Sequence, residues 1–150
     1  MPPADKANFA GNFPRTLDDK GRLTIPSEWR SAHTKDEPFM AIPHKDGYLA
    51  ILPTAEVNKL REKLSANKLN DSGAQDSAAV FFSETQSFAC DNFGRVVLNR
   101  ELLQHAGIDK EAVLIGSLTK FHVYSPDRWQ QLRTRVGGGK MGEAMRHLDI

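Results

Sequence analysis

Two carboxylate–guanidinium pairs at the same spacing are the first candidates for chemistry in this chain: Asp18 with Arg22, and Asp91 with Arg95. Each pair brackets three residues that end in glycine, Gly21 in one and Gly94 in the other. A glycine there supplies the left-handed backbone that a three-residue hairpin loop needs near its end. The acid and the base then face each other across the loop, close enough to pair. Two uses are open. The ion pair either closes the turn and does nothing more, or the carboxylate orients an arginine that reaches a ligand. An arginine held on a hairpin edge presents a planar fork of donors that suits phosphate oxygens and the guanine edge in a DNA major groove. The first pair has cationic company, because Arg15, Lys20 and Arg30 lie near or on the same hairpin. The second has Phe93 in place of Lys20 and Ala89 in place of Thr16, which makes it the poorer candidate for phosphate contact.

Other constellations carry less. Gly137, Gly139 and Gly142 satisfy G-x-G-x-x-G, but a dinucleotide site needs a strand before the glycines and an acid well after them. Here a helical pattern precedes them and the sequence ends too soon. A phosphate loop fails as well, since Met141 follows Lys140 where serine or threonine is required. These glycines read as a helix breaker. Cys90 sits beside the second Asp and reads as a small core residue rather than a nucleophile. His33, His44, His105, His122 and His147 lack metal-ligand spacing. No catalytic constellation stands out, so no enzyme, metal or cofactor is expected.

The elements that must position the two pairs are themselves duplicated. Leu17 to Ile25 recurs as Cys90 to Leu98, with Asp, Gly and Arg in register at an offset of 73 residues (91 − 18). The match runs on through Glu28-Trp29 and Glu101-Leu102, and through Ile42 and Ile115. Repeats at a fixed period alter the reading of a whole fold. Within the first copy, Lys45-Asp46-Gly47 marks a second hairpin between two apolar strands. Thr54 is the expected cap of a helix carrying Val57, Leu60 and Leu64. Asn67 to Asp76 reads as the linker, and Ala78 to Phe82 as a helical turn or two. In the second copy Asn99 should cap a short helix that Gly107 ends. Ser125-Pro126-Asp127 should start another, with Trp129 and Leu132 as its buried stripe. The first eight residues read as loose, and the tail as a short helix or disordered.

Composition sets bounds. At 150 residues the chain has the length of one domain, and two half-size repeats must share its core. A formal net charge of +1 excludes a broadly basic nucleic-acid binder, so attraction to phosphate must come from local clustering. The single cysteine rules out an intrachain disulfide and fits a reducing cytosol. No basic segment followed by an apolar run opens the sequence, and no stretch approaches the length of a membrane span, so neither a signal peptide nor a membrane partner is expected.

Together these residues resemble the MraZ family of bacterial transcriptional regulators. The strongest likeness lies in Leu17 to Pro26, Asp91 to Leu98, Gly107 to Glu111, and Lys120-Phe121 leading to Trp129. The resemblance implies a mainly β fold with short helices (α+β), built of two swapped-hairpin, AbrB-like repeats at 12–55 and 84–128 that share one core. It implies a sequence-specific DNA-binding regulator of a division and cell-wall gene cluster, acting in the cytoplasm on the nucleoid. Its partner would be double-stranded promoter DNA with repeated boxes, bound by a homo-oligomeric ring. Arg22, Lys20, Arg15, Arg30 and Arg95 would face DNA, while Asp18, Gly21, Asp91 and Gly94 would shape the loops. Two departures are a longer N-terminus and Asn99 in place of the proline that Pro26 supplies in the first copy; neither touches the first hairpin. The rival reading is a ring-forming interaction protein with no DNA role.

Overall fold

The computed structural model describes residues 8–30, 38–67, 72–136 and 141–150. His33, most of the loose N-terminus, positions 68–71 of the expected linker and the Gly137 to Gly139 breaker lie outside the described residues. The strands are β1 (Asn12–Thr16), β2 (Arg22–Thr24), β3 (Phe39–His44), β4 (Tyr48–Leu52), β5 (Gln86–Phe88), β6 (Arg95–Val97), β7 (Glu111–Gly116) and β8 (Phe121–Tyr124). The helices are α1 (Ser27–Arg30), α2 (Thr54–Asn67), α3 (Ser72–Ser83), α4 (Arg100–His105), α5 (Pro126–Arg135) and α6 (Met141–Leu148). The fold is mainly β with short helices.

Six strands form an antiparallel sheet in the order β1-β7-β8-β4-β3-β5, and β2 and β6 form a separate two-stranded ribbon. The β3–β4 hairpin forms where Asp46-Gly47 marks it, with Gly47 at φ +84°. The proline positions fit this order. Pro14 lies on β1, an edge strand; Pro43 lies on β3 beyond the stretch that pairs with β5. A residue without an N–H is tolerated at both, because no ladder bond is demanded there. One expectation changes. The strands flanking the first Asp-Arg turn do not ladder with each other. β1 leaves to pair with β7, with Phe13 opposite Leu114, and β2 leaves to pair with β6.

Chain crossing of this kind joins the halves in one core. Phe9, Trp29 and Phe39 from the first half meet Phe121 and Phe88 from the second, with ring centroids 4.7 Å apart for Trp29–Phe121 and 5.6 Å for Phe39–Phe88. Trp29 is the only fully buried side chain of α1, so this single-turn helix is held by packing rather than by its own propensity. Edge-to-face contacts from Phe9 and Phe13 fix the indole from two more sides.

Several local expectations are corrected. α3 begins at Ser72, inside the expected linker, and runs to Ser83. Thr54 does not cap α2. Its hydroxyl donates to the Pro38 carbonyl, and the Pro53 carbonyl receives the first helical N–H groups, from Glu56 and Val57. Asn99 starts α4 without a side-chain cap. Its carbonyl accepts from Leu102 and Leu103, while its own N–H is drawn 2.7 Å from Gln86 Oε1. Ser125 does cap α5, accepting the Arg128 N–H at 3.2 Å. Trp129 and Leu132 are half-buried rather than buried, because α5 lies on the outside of the sheet.

Candidate nucleic-acid interface

Each Asp-Arg turn is built as an Asx turn around one carboxylate. Asp18 Oδ1 accepts the N–H groups of Lys20 (2.9 Å) and Arg22 (2.8 Å), and Oδ2 accepts Arg22 Nε at 2.6 Å. The backbone closes the same loop through Gly21 N to Asp18 O and Asp18 N to Arg22 O. Asp91 repeats every contact, with Phe93 N (2.9 Å), Arg95 N (2.8 Å) and Arg95 Nε (2.9 Å). Gly21 and Gly94 take φ +75° and +77°, the left-handed values that the loop length requires. The backbone N–H of the paired arginine is the main reason that each carboxyl titrates below its ordinary value of 3.8.

The ribbon then brings the two arginines to one surface. Register pairs Arg22 with Val97, Leu23 with Val96 and Thr24 with Arg95. Alternation sends Leu23 and Val96 inward, 1% and 5% exposed, and leaves Arg22, Thr24, Arg95 and Val97 on the outer face. Arg22 and Arg95 are diagonal neighbours there, which puts their Cα atoms about 7–8 Å apart. Each spends Nε on its own aspartate. Among the described residues neither has a further partner for its terminal nitrogens, so both forks stay available. Arg95 also stacks over the Phe93 ring, 4.9 Å from its centroid.

The other expected cations are placed differently. Lys20 is exposed in the first loop. Arg15 is tied down, Nε donating 3.1 Å to the Thr24 carbonyl and Nη1 to the Pro14 carbonyl. That bond fastens β1 to the end of β2. Gln86 does the same for β6, donating 3.0 Å to the Val97 carbonyl. Arg30 leaves the first loop and lies against the second, where a Cβ on Gly94 would run into its guanidinium. Its Nε is buried without a partner. Gly21 has open space instead, so the two loops are not alike in their surroundings. Cys90 is half-buried against the core, and burial pushes its thiol up to about 11, which leaves no thiolate for nucleophilic chemistry at neutral pH. Sequence reasoning missed Val97 and Gln86, because the register between β2 and β6 is what gives them a role. The identical offset of the two Asp-Arg pairs was the available signal.

An antiparallel ribbon with a cationic outer face is the kind of element that β-ribbon readers insert into a DNA groove. Comparison with known proteins agrees in class. Residues 81–137 match a family profile described as "MraZ protein, putative antitoxin-like". A protein named transcriptional regulator MraZ from Chlorobaculum parvum is 33% identical, covering 93% of each chain. One of the same name from Clostridium acetobutylicum is 31% identical over 95% of this chain and 99% of its own. Another, from Heliobacterium modesticaldum, is 32% identical over 85% and 88%. The chain belongs to the MraZ family.

Proposed function

We propose that this chain is a DNA-binding transcriptional regulator that reads operator DNA with the outer face of the β2–β6 ribbon. One observation carries the reading: two arginines, each oriented by its own aspartate, project free guanidinium forks from the same two-stranded ribbon. A major groove admits such a ribbon, and a guanidinium fork matches guanine O6 and N7. Lys20 would take a phosphate, while Arg15 and Arg30 would act mainly as supports for the loops. The relatives' name, transcriptional regulator, points the same way.

The repeats at 12–55 and 84–128 fit this role, because each supplies one strand and one loop to the ribbon. The target we favour is a promoter of the division and cell-wall gene cluster, and the gene's own upstream region is the first place to look. With a net charge of +1, one subunit gains little from counterion release. A homo-oligomeric ring repeating the ribbon would gain by avidity on repeated boxes. Such a regulator works in the cytoplasm on the nucleoid, and no described helix is long and apolar enough to cross a membrane. A footprint on the upstream region tests the reading. Protected boxes are expected, and binding should weaken steeply with added salt; salt-insensitive association would favour a packed protein contact instead.

A further inference from the structure

The ribbon has a pseudo-twofold axis that passes between Leu23 and Val96. The register that pairs Arg22 with Val97 and Thr24 with Arg95 is unchanged when the two strands are exchanged. The axis therefore swaps Arg22 with Arg95, Thr24 with Val97 and Lys20 with Phe93. The arginines and their aspartates are the same at both ends. The flanking chemistry is not. Arg22 has an exposed cation, Lys20, in its loop and an apolar side chain, Val97, 55% exposed, directly across the ribbon. Arg95 has the Phe93 ring, 70% exposed, beneath its guanidinium and the Thr24 side chain across from it.

We propose that this asymmetry makes the ribbon a directional reader, so that each DNA box is bound in one orientation only. The inference rests on the DNA-reading function above and adds which residues set polarity. At the Arg22 end, Lys20 neutralises a phosphate and Val97 packs on a thymine methyl beside the arginine's guanine. An apolar side chain suits that methyl group and makes no hydrogen bond to a competing base. At the Arg95 end the loop carries no lysine, and Arg30, the cation beside it, is packed against Gly94 with its Nε buried. Stacking on Phe93 holds the guanidinium plane, and the Thr24 hydroxyl can donate to or accept from a base edge. Backbone anchoring thus belongs to one half of the box and tolerant base contact to the other. Lys20 and Phe93 set the orientation, and Val97 and Thr24 set which base flanks each guanine.

Affinity cleavage by the full chain tests this. A randomised duplex library is first enriched with the unmodified protein to define a box. An iron–EDTA tether is then attached to Asp19→Cys or, separately, to Asn92→Cys, the equivalent positions of the two exposed loops. Cys90 is half-buried and its thiol stays protonated, so labelling is directed to the new cysteine. The tether at 19 is expected to cut one flank of the box and the tether at 92 the other. In a chain carrying Lys20→Phe, Phe93→Lys, Thr24→Val and Val97→Thr together, the flanks should exchange on the same box. Equal cutting of both flanks by either tether in the unexchanged protein would overturn directionality, with no need for the fourfold variant. Unexchanged flanks in a variant that melts like the parent would overturn the assignment to these four residues. Failure of the unmodified protein to enrich any box would instead remove the DNA-reading function itself.

Discussion

Asp18 and Asp91 carry negative charge onto a surface proposed to meet phosphate, so their value must lie in what they hold. Each carboxylate organises three N–H groups and fixes the roll of one guanidinium. Asp18→Asn is accordingly expected to reduce the ratio of operator to random-DNA affinity more than it reduces affinity for random DNA, as read by competition titration. Both carboxyl groups titrate low in the folded chain. Their stabilisation is therefore full above the ordinary value of 3.8 and is lost as pH falls through the lowered folded value. The glycines divide differently. Gly21→Ala meets no atom and should cost only the left-handed strain, about 1–2 kcal/mol. Gly94→Ala carries the same strain and also displaces the Arg30 guanidinium, so denaturant melts should find it the less stable of the two.

At the scale of elements, β8 holds a half-buried imidazole among rings. His122 lies 4.6 Å from Tyr48 by ring centroid, and its Nδ1 is 3.3 Å from the Tyr124 hydroxyl. Burial first, then the charges of Lys120 and His44, depress its pKa from 6.5 to about 4. Between those values the unfolded chain binds the extra proton, so stability rises with pH across this window. His122→Phe should flatten that slope in thermal melts taken from pH 4 to 6.5. The same elements explain what the sequence disclosed. Duplicated Asp-x-x-x-Arg turns, Gly47 and the Ser125 cap are local chemistry, and local chemistry is legible in order along a chain. That β1 leaves its own turn for β7, and that β2 meets β6, depends on contacts between residues 71 or more positions apart. Nothing in Thr54 or Asn99 distinguishes a cap from a residue whose polar groups are claimed by Pro38 or Gln86. The candidate site was half legible for this reason: the arginines were visible, and their convergence on one face was not.

The whole molecule leaves apolar surface uncovered. Val80 and Phe81 on α3 are 69% and 45% exposed, and Met141 on α6 is 74% exposed. Surface of this kind accords with the proposed self-association. Light scattering at micromolar concentration should give a closed oligomer, and a monomer that retains DNA binding would remove the avidity argument. For an oligomer, several boxes should bind far more tightly than one. Shifting the spacing by about five base pairs, half a helical turn, should undo most of that gain. The most direct test is the affinity of an Arg22→Ala, Arg95→Ala chain for the gene's own upstream region, set against random DNA of equal length. Each lost bidentate contact should cost about 1–3 kcal/mol of discrimination. The double variant should therefore lose its preference for the upstream region while its circular dichroism and melting stay close to those of the parent. An undiminished preference in a folded double variant would contradict recognition by the β2–β6 ribbon.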